Sequence, residues 1–199
     1  HVVDAEAVDV PDSFELPLFQ KRNFGLAYQA VAYVLERDGR LPLTPQQLRS
    51  AAQVYIPGRM EAIRVSGKTL ILDGAHNVQK MTALVSSLRE RYPNTSIAAL
   101  LAVAEATDMR WQGALKVLVP EMQHIVVTAF EIGQDAPKRS VQPQLVMDYV
   151  RTFSDVLVEI QPKAKEALEV LLARPETVLL VTGSLYLLGT IKTHLEELR

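Results

Sequence analysis

The 199-residue sequence contains no cysteine, and that absence excludes several kinds of chemistry at once. Without a thiol, the chain can form no disulfide, use no cysteine nucleophile and offer no thiolate ligand to a metal ion. The sequence also lacks a signal-peptide pattern and any apolar run of about 18 residues, the length that a membrane-spanning helix needs. We therefore expect a cytoplasmic protein with no membrane partner.

Strong charge of either sign is missing too. The formal net charge is -2 at pH 7, which gives no bulk attraction to nucleic acid or to an anionic membrane, so neither is a predicted partner. The phosphate-binding patterns G-x-x-x-x-G-K-[ST] and G-x-G-x-x-G are also absent. If the protein handles a nucleotide, these residues do not supply the loop that would cradle its phosphates.

The composition that is present is that of a folded protein with two parts. With 48% apolar and 22% charged residues, the chain is typical of a globular protein and is long enough to bury a large core. Its first residue is His1, and the opening segment shows no helix or strand pattern, so we expect a piece of a longer polypeptide. Pro57-Gly58 is the strongest break in the first third of the chain and divides residues 1–56 from residues 57–199.

Residues 1–56 are predicted to be helical. Apolar residues recur at helical spacing before Gly39, which predicts a first helix with an apolar face; they are Leu26, Ala27, Ala30, Val31, Val34 and Leu35. Thr44, Pro45 and Gln47 then stand at the positions of an N-cap, a first helical residue and a third one. This capping-box pattern predicts a second, short helix.

Residues 57–199 are predicted to form an α/β domain. Two strands meet at Ser66-Gly67 as a hairpin, and four more apolar runs of strand length alternate with helical segments. Because these strands are apolar along their length, we expect a mostly parallel, six-stranded, Rossmann-like sheet with helices on both faces. The hairpin should add the one antiparallel strand at its edge. The polar segment 131–140 is expected to be a loosely built loop.

The stretch "TLILDGAHNV" places a carboxylate, an imidazole and a carboxamide where a strand gives way to a helix. In an open α/β sheet, ligands bind outside the carboxyl ends of the strands, which is where Asp73 and His76 should lie. Asp73, Gly74 and Asn77 are equally well explained as local turn and capping residues. His76 is not needed for a turn, and it can accept a proton or hold a carboxylate there.

Two other residues are candidates at the same edge. In "VTGSLYLLG" a strand ends and a helix begins at Ser184, whose hydroxyl could face a ligand or could simply cap the helix. In "PGRME", Arg59 follows the domain break, where its side chain could reach a phosphate or could be solvated. For each residue both interpretations remain open.

Three stretches taken together, "PGRME", "LILDGAHN" and "VTGSLYLLG", resemble the C-terminal portion of the folylpolyglutamate synthase/dihydrofolate synthase family, in the Mur ligase superfamily. The upstream "LFQKRNFGLAYQAV" is similar to the helix that closes the family's central ATPase domain. The resemblance implies that residues 1–56 are the helical tail of that ATPase domain. Residues 57–199 would then be the Mur ligase C-terminal, or glutamate ligase, domain.

The resemblance also implies an activity. Such a ligase uses ATP and magnesium to convert a folate carboxylate into an acyl phosphate, which the amino group of glutamate attacks. ATP, glutamate and folate would be its small-molecule partners. ATP and Mg would be bound mainly by an N-terminal P-loop ATPase domain of the same polypeptide, and the present chain would be inactive alone.

Carried over to this sequence, the resemblance implies site residues as well. Asn23, Arg59 and Asp73 would contact ATP. Asp73 and His76 would act at the cleft between domains, near the phosphates and the incoming glutamate. His76 and Ser184 would bind the glutamate.

The sequence departs from the family pattern in two places. Val78 replaces the usual proline after Asp-Gly-Ala-His-Asn, which the start of a helix should tolerate. The family's Asp-Lys-Asp stands here as Ala106-Thr107-Asp108, preceded by Glu105, so its lysine is missing. That loss keeps open a catalytically silent binding or regulatory module. A cell-wall Mur ligase with another amino acid substrate is a third hypothesis, against which the Asp-Gly-Ala-His-Asn motif argues.

Overall fold

The computed structural model describes residues 16–106, 109–133 and 138–197. The chain divides into two compact units, one ending at Ile56 and the other beginning at Pro57. In the described residues, no helix is long and apolar enough to cross a membrane.

The first unit contains two helices, α1 (Leu18–Arg37) and α2 (Pro45–Ala52). The predicted capping box of α2 is confirmed, because the Thr44 hydroxyl accepts the Gln47 N–H and the Gln47 side chain accepts the Thr44 N–H. The predicted apolar face of α1 is not buried in the structure: Val31 and Val34 are exposed, and Gly25 is the buried residue of this helix.

The second unit alternates strands with helices. In chain order the elements are β1 (Glu61–Val65), β2 (Lys68–Leu72), α3 (Val78–Arg91), β3 (Ile97–Leu101), α4 (Arg110–Leu118), a 3-10 turn (Val119–Glu121), β4 (His124–Val127), β5 (Glu131–Ile132), β6 (Lys138–Arg139), α5 (Pro143–Arg151), β7 (Leu157–Ile160), α6 (Ala164–Ala173), β8 (Val178–Thr182) and α7 (Leu185–Glu197).

The main sheet has six strands in the order β1-β2-β8-β3-β4-β7. Strand β1 pairs antiparallel with β2, and the other pairs are parallel, as predicted. The β1–β2 hairpin turns at Ser66 and Gly67, both with positive φ, the backbone form that matches the twist of the strands it joins. Since β8 lies between β2 and β3, the carboxyl ends of these three strands meet at one edge of the sheet.

Helices cover both faces of this sheet. Leu72, Leu100 and Val181 face one way and pack in a buried cluster with Leu168 of α6 and Leu188 of α7. The alternate strand residues are fully buried as well; they include Ile71, Ala99, Leu101, Ile125 and Leu180. Helices α3, α4 and α5 pack in sequence beside one another, and α5 also contacts β4 and β7. Both faces of the central strands are therefore buried away from solvent, which is why their sequences are apolar throughout.

The expectation of a loose loop at residues 131–140 is wrong for the part that the structure describes. Strands β5 and β6 pair antiparallel in a separate two-stranded sheet, and Ser140 forms a bridge with Ala104. The Ser140 hydroxyl also accepts the Phe130 N–H, at 3.1 Å. These contacts give regular structure to both ends of a segment whose polar composition predicted no strand.

Candidate functional site

The turn between β2 and α3 is organised by the carboxylate of Asp73. This side chain is 3% exposed. Its Oδ2 accepts the Met60 N–H and its Oδ1 accepts the Ala75 N–H, both at 2.8 Å. The carboxylate therefore ties the segment after Gly58 to the turn that carries His76.

Burial raises the pKa of the Asp73 carboxyl above its ordinary value. The hydrogen bonds from Met60 and Ala75, and the positive charges of Arg59 and Lys80, act in the opposite direction. Desolvation is the largest of these effects. The site thus holds a buried carboxylate whose ionised form depends on the donors and cations around it.

Arg59 lies beside this carboxylate in a tight backbone turn. Its Nη1 donates to the Gly58 carbonyl at 3.2 Å, and the Gly74 N–H donates to the same oxygen at 2.9 Å. A Cβ at Gly74 would overlap the Leu185 side chain and stand 2.9 Å from Arg59 Nη1, so both side chains would have to shift. The Arg59 guanidinium therefore lies against the Gly74 turn.

His76 is half-buried at the open edge of the sheet. Its Nδ1 lies 2.8 Å from the Gly74 carbonyl oxygen. A carbonyl can only accept, so Nδ1 carries the hydrogen, and Nε2 of the neutral ring is left as an acceptor. Lys80 Nζ lies 3.4 Å from that Nε2. Among the described residues, the imidazole is thus oriented by Gly74 and not by Asp73.

Asn77 and the residues after it begin α3. The Asn77 side chain accepts the Lys80 N–H at 3.0 Å and caps the helix. The capping interpretation of Asn77 is therefore confirmed. The cap therefore positions the backbone of Lys80, which follows His76 by four residues.

The turn between β8 and α7 forms the neighbouring wall. Gly183 has φ +97, and a Cβ there would stand 2.5 Å from the Ala102 carbonyl oxygen. Its N–H donates to the Ala75 carbonyl at 3.0 Å, which joins this turn to the one that carries His76. Ser184 is 4% exposed, and its Oγ accepts the Tyr186 N–H at 3.1 Å. Its hydroxyl oxygen thus bonds a backbone N–H in the first turn of α7, as a helix cap does.

A sequence model described as "Mur ligase, glutamate ligase domain" matches residues 58–185, which is more than half of the chain. This chain belongs to the Mur ligase glutamate ligase domain family.

Relatives of this Mur ligase domain include folate enzymes. The folylpolyglutamate synthase of Lacticaseibacillus casei is 36% identical over 44% of this chain and 22% of its own length. The dihydrofolate synthetase of Saccharomyces cerevisiae is 24% identical over 100% of this chain and 50% of its own. A solved structure of Mycobacterium tuberculosis folylpolyglutamate synthase, complexed with ADP and AMPPCP, is 26% identical and superposes with a TM-score of 0.69 over 89% of this chain and 40% of that one.

The Mur ligase domain therefore resembles the folylpolyglutamate synthase/dihydrofolate synthase branch, as the three sequence motifs implied. The chain spans half or less of the length of these relatives.

Within this Mur ligase domain, the turns bring together Arg59, Asp73, His76 and Ser184 at the carboxyl edge of the sheet. Asn23 lies in α1 of the first unit. Thr107 and Asp108, which stand where the family has the last two residues of Asp-Lys-Asp, lie outside the described residues. In the described ranges no group of three or more histidine, aspartate or glutamate side chains could hold a metal ion.

Sequence reasoning missed Lys80. It is an exposed residue in the first turn of α3; its Nζ lies 3.4 Å from His76 Nε2, and its charge acts to lower the pKa of Asp73. A signal was available, because Lys80 follows His76 by four residues at the predicted start of a helix. Basic residues are also unfavourable near a helix N-terminus, where the helix dipole is positive, and this first turn contains no acidic residue.

Proposed function

We propose that this chain is the C-terminal part of an ATP-dependent ligase that adds glutamate to a folate. The family match assigns a glutamate ligase domain. A folylpolyglutamate synthase that matches part of this chain and a dihydrofolate synthetase that matches all of it are among its relatives. The observation that carries the proposal is the joining of the Asp73–His76 turn to the Ser184 turn, with Arg59 packed against it.

The proposed reaction makes one amide bond. A folate carboxylate attacks the terminal phosphorus of ATP, which gives an acyl phosphate and ADP. The glutamate nitrogen then attacks the acyl carbon, the carbon–oxygen bond to phosphate breaks, and one proton leaves the nitrogen. An anionic intermediate of this kind needs cationic and N–H donors, and the amine needs a proton acceptor.

Each site residue has a proposed part in this reaction. His76 presents Nε2 as the acceptor for the amine proton, since its Nδ1 faces the Gly74 carbonyl. Arg59 and Asn23 contact ATP. Asp73 positions the segment that carries Arg59, because its carboxylate accepts the Met60 N–H. Ser184 lies beside the glutamate.

Magnesium is assigned to the preceding P-loop ATPase domain. The described residues form no group that fits a metal ion, so no step in this chain is given to it. ATP binding is assigned mainly to the same domain, because the chain contains no P-loop sequence.

The test compares the 199-residue chain with the complete polypeptide that carries it. Each is incubated with MgATP, glutamate and either dihydropteroate or a reduced folate, and the product mass and ADP release are measured. We expect ligation by the complete polypeptide and no measurable turnover by the chain alone. Turnover by the chain alone would refute the assignment of ATP chemistry to the other domain.

The same experiment tests the catalytically silent alternative. The replacement of the family's Asp-Lys-Asp by Ala106-Thr107-Asp108 favours that alternative, since a lysine is missing. Folate or nucleotide binding without ligation by the complete polypeptide would establish it in place of the ligase.

A further inference from the structure

His76 and Lys80 form an acceptor–donor pair at the open edge of the sheet. His76 Nε2 is the acceptor, because the Nδ1 hydrogen is held by the Gly74 carbonyl. Lys80 Nζ, at 3.4 Å, is the donor. Both residues belong to the same short segment: the Gly74 carbonyl orients the His76 ring, and the Asn77 side chain accepts the Lys80 backbone N–H.

Lys80 has no anion of its own to pair with in the described part of the chain. Among the described residues, the hydrogen bond of its side-chain ammonium is to His76. The nearby Asp73 carboxylate already accepts two backbone N–H groups, and it interacts with Lys80 only through charge. An ammonium has three hydrogens, so at least two remain for solvent or a ligand.

The local electrostatics also favour an anion beside Lys80. Arg59 lies at the same turn, and the N-terminus of α3 adds the positive end of a helix dipole. A lysine in the first turn of a helix costs stability in the free protein. A bound carboxylate offsets that cost because it pairs with the ammonium.

The head group of an α-amino acid is complementary to this pair. It carries an ammonium donor and a carboxylate acceptor on one carbon atom, to match the acceptor of His76 and the donor of Lys80. We infer that Lys80 binds the α-carboxylate of the incoming amino acid, while the α-amino group faces His76 Nε2. The amino acid head group would then insert between Lys80 Nζ and His76 Nε2, in place of their hydrogen bond.

This inference rests on the proposed function and adds a specificity residue to it. Lys80 would select α-amino acids over simple amines, since an amine without an adjacent carboxylate cannot use the ammonium. The γ-carboxylate of glutamate would be recognised elsewhere.

The kinetic test uses Lys80→Met and Lys80→Arg in the complete polypeptide, with Lys116→Met as the control. Lys116 is an exposed lysine of α4. We expect Lys80→Met to raise the KM for glutamate roughly 10- to 100-fold, the loss of one charge-assisted hydrogen bond, with a much smaller change in kcat. Lys80→Arg should recover part of the loss. Lys116→Met should match the wild type.

Substrate analogues identify which carboxylate Lys80 binds. The compound 4-aminobutyrate lacks the α-carboxylate of glutamate, and norvaline lacks the γ-carboxylate. Lys80→Met should weaken the use of glutamate and norvaline but should leave that of 4-aminobutyrate nearly unchanged. An equal effect on all three compounds, or an unchanged KM for glutamate, would overturn the inference.

A binding experiment on the 199-residue chain keeps the inference separate from the proposed function. The Lys80 13Cε and His76 ring signals are followed by NMR during addition of L-glutamate or 4-aminobutyrate. We expect glutamate to shift both signals, 4-aminobutyrate to shift neither, and Lys80→Met to abolish the glutamate shift at His76. Equal responses to the two compounds, or none, would reject the role of Lys80. Absence of ligation by the complete polypeptide would instead reject the ligase.

Discussion

The two edges of the sheet bury polar groups in different ways. At the carboxyl edge, both oxygens of Asp73 accept backbone N–H groups, and its side chain is 3% exposed. At the amino edge, His124 is 5% exposed, and among the residues that the structure describes neither ring nitrogen has a hydrogen-bond partner. Groups of similar burial are therefore satisfied at one edge and unsatisfied at the other.

At the amino edge the distances between polar groups are longer. His124 Nε2 lies 3.6 Å from Glu159 Oε2, and Arg174 Nε lies 3.5 Å from Glu176 Oε2. Burial, followed by the charge of Arg174, lowers the pKa of His124, while Glu159 and Glu176 act in the opposite direction. A satisfied buried network fixes one geometry, whereas unsatisfied buried groups cost stability. The comparison identifies the carboxyl edge as the preorganised one.

The largest effect that should separate the two edges is that of His76→Ala. In the complete polypeptide we expect turnover to fall by about 10² to 10⁴, the usual cost of losing a proton acceptor or an anion-holding group. Thermal unfolding should change little, because His76 is half-buried and its ring makes two hydrogen bonds within the part of the chain that the structure describes. Steady-state kinetics and calorimetry measure the two effects. An unfolded variant, or unchanged kinetics, would make His76 a structural residue.

Asp73→Ala should be costly in a different way. It leaves the Met60 and Ala75 N–H groups buried without an acceptor, at about 1–3 kcal/mol each. We expect the free energy of unfolding at pH 7 to fall by roughly 2–6 kcal/mol, besides a loss of turnover. Asp73→Asn retains one acceptor oxygen and should lose less stability. Denaturant unfolding of the 199-residue chain measures both, and wild-type stability for Asp73→Ala would show that these bonds contribute nothing.

The sequence predicted those parts of the molecule whose signals are local. The hairpin at Ser66-Gly67, the Thr44 capping box and the Asn77 cap depend on residues within a few positions of one another. The parallel strands were predictable for a related reason, since burial on both faces leaves an uninterrupted apolar run. Together these signals specified the six-stranded sheet.

The features that were missed depend on residues that are distant in the sequence. The surroundings of His124 could not be predicted from the sequence, because Glu159, Arg174 and Glu176 come from later segments. Strands β5 and β6 have two residues each, too few to show a period, and they are continued by the bridge from Ser140 to Ala104. The roles of Arg59, Asp73, His76 and Ser184 rest on the resemblance and stay predictions.

Acidification should affect the two edges with opposite signs. The pKa of buried His124 is below its ordinary value of 6.5, so below about that pH the unfolded chain binds a proton that the folded chain does not. Stability should therefore fall as the pH falls from 6.5. The raised pKa of Asp73 makes the folded chain bind the extra proton, so its contribution increases stability as the pH approaches 3.8.

His124→Leu separates these contributions. The variant removes the titrating ring and keeps an apolar side chain of similar size, so the loss of stability below pH 6.5 should become smaller. Urea unfolding from pH 7.5 to 5 measures the change, and Lys116→Met serves as a surface control. An identical pH dependence in the wild type and His124→Leu would assign the acid sensitivity to other groups.

The smallest effect is expected for Val78→Pro, although Val78 stands between His76 and Lys80 at the carboxyl edge. Val78 is the first residue of α3 and is 47% exposed. The first helical position accepts proline because its N–H has no partner within the helix. Asn77 has φ -139 and ψ 170, the extended backbone that a residue before proline prefers. Activity and unfolding temperature should therefore stay close to those of the wild type.

Thr82→Pro, in the interior of the same helix, should cost about 3 kcal/mol or more. If Val78→Pro is as damaging as Thr82→Pro, the start of α3 is assigned wrongly, and with it the position of Lys80 beside His76.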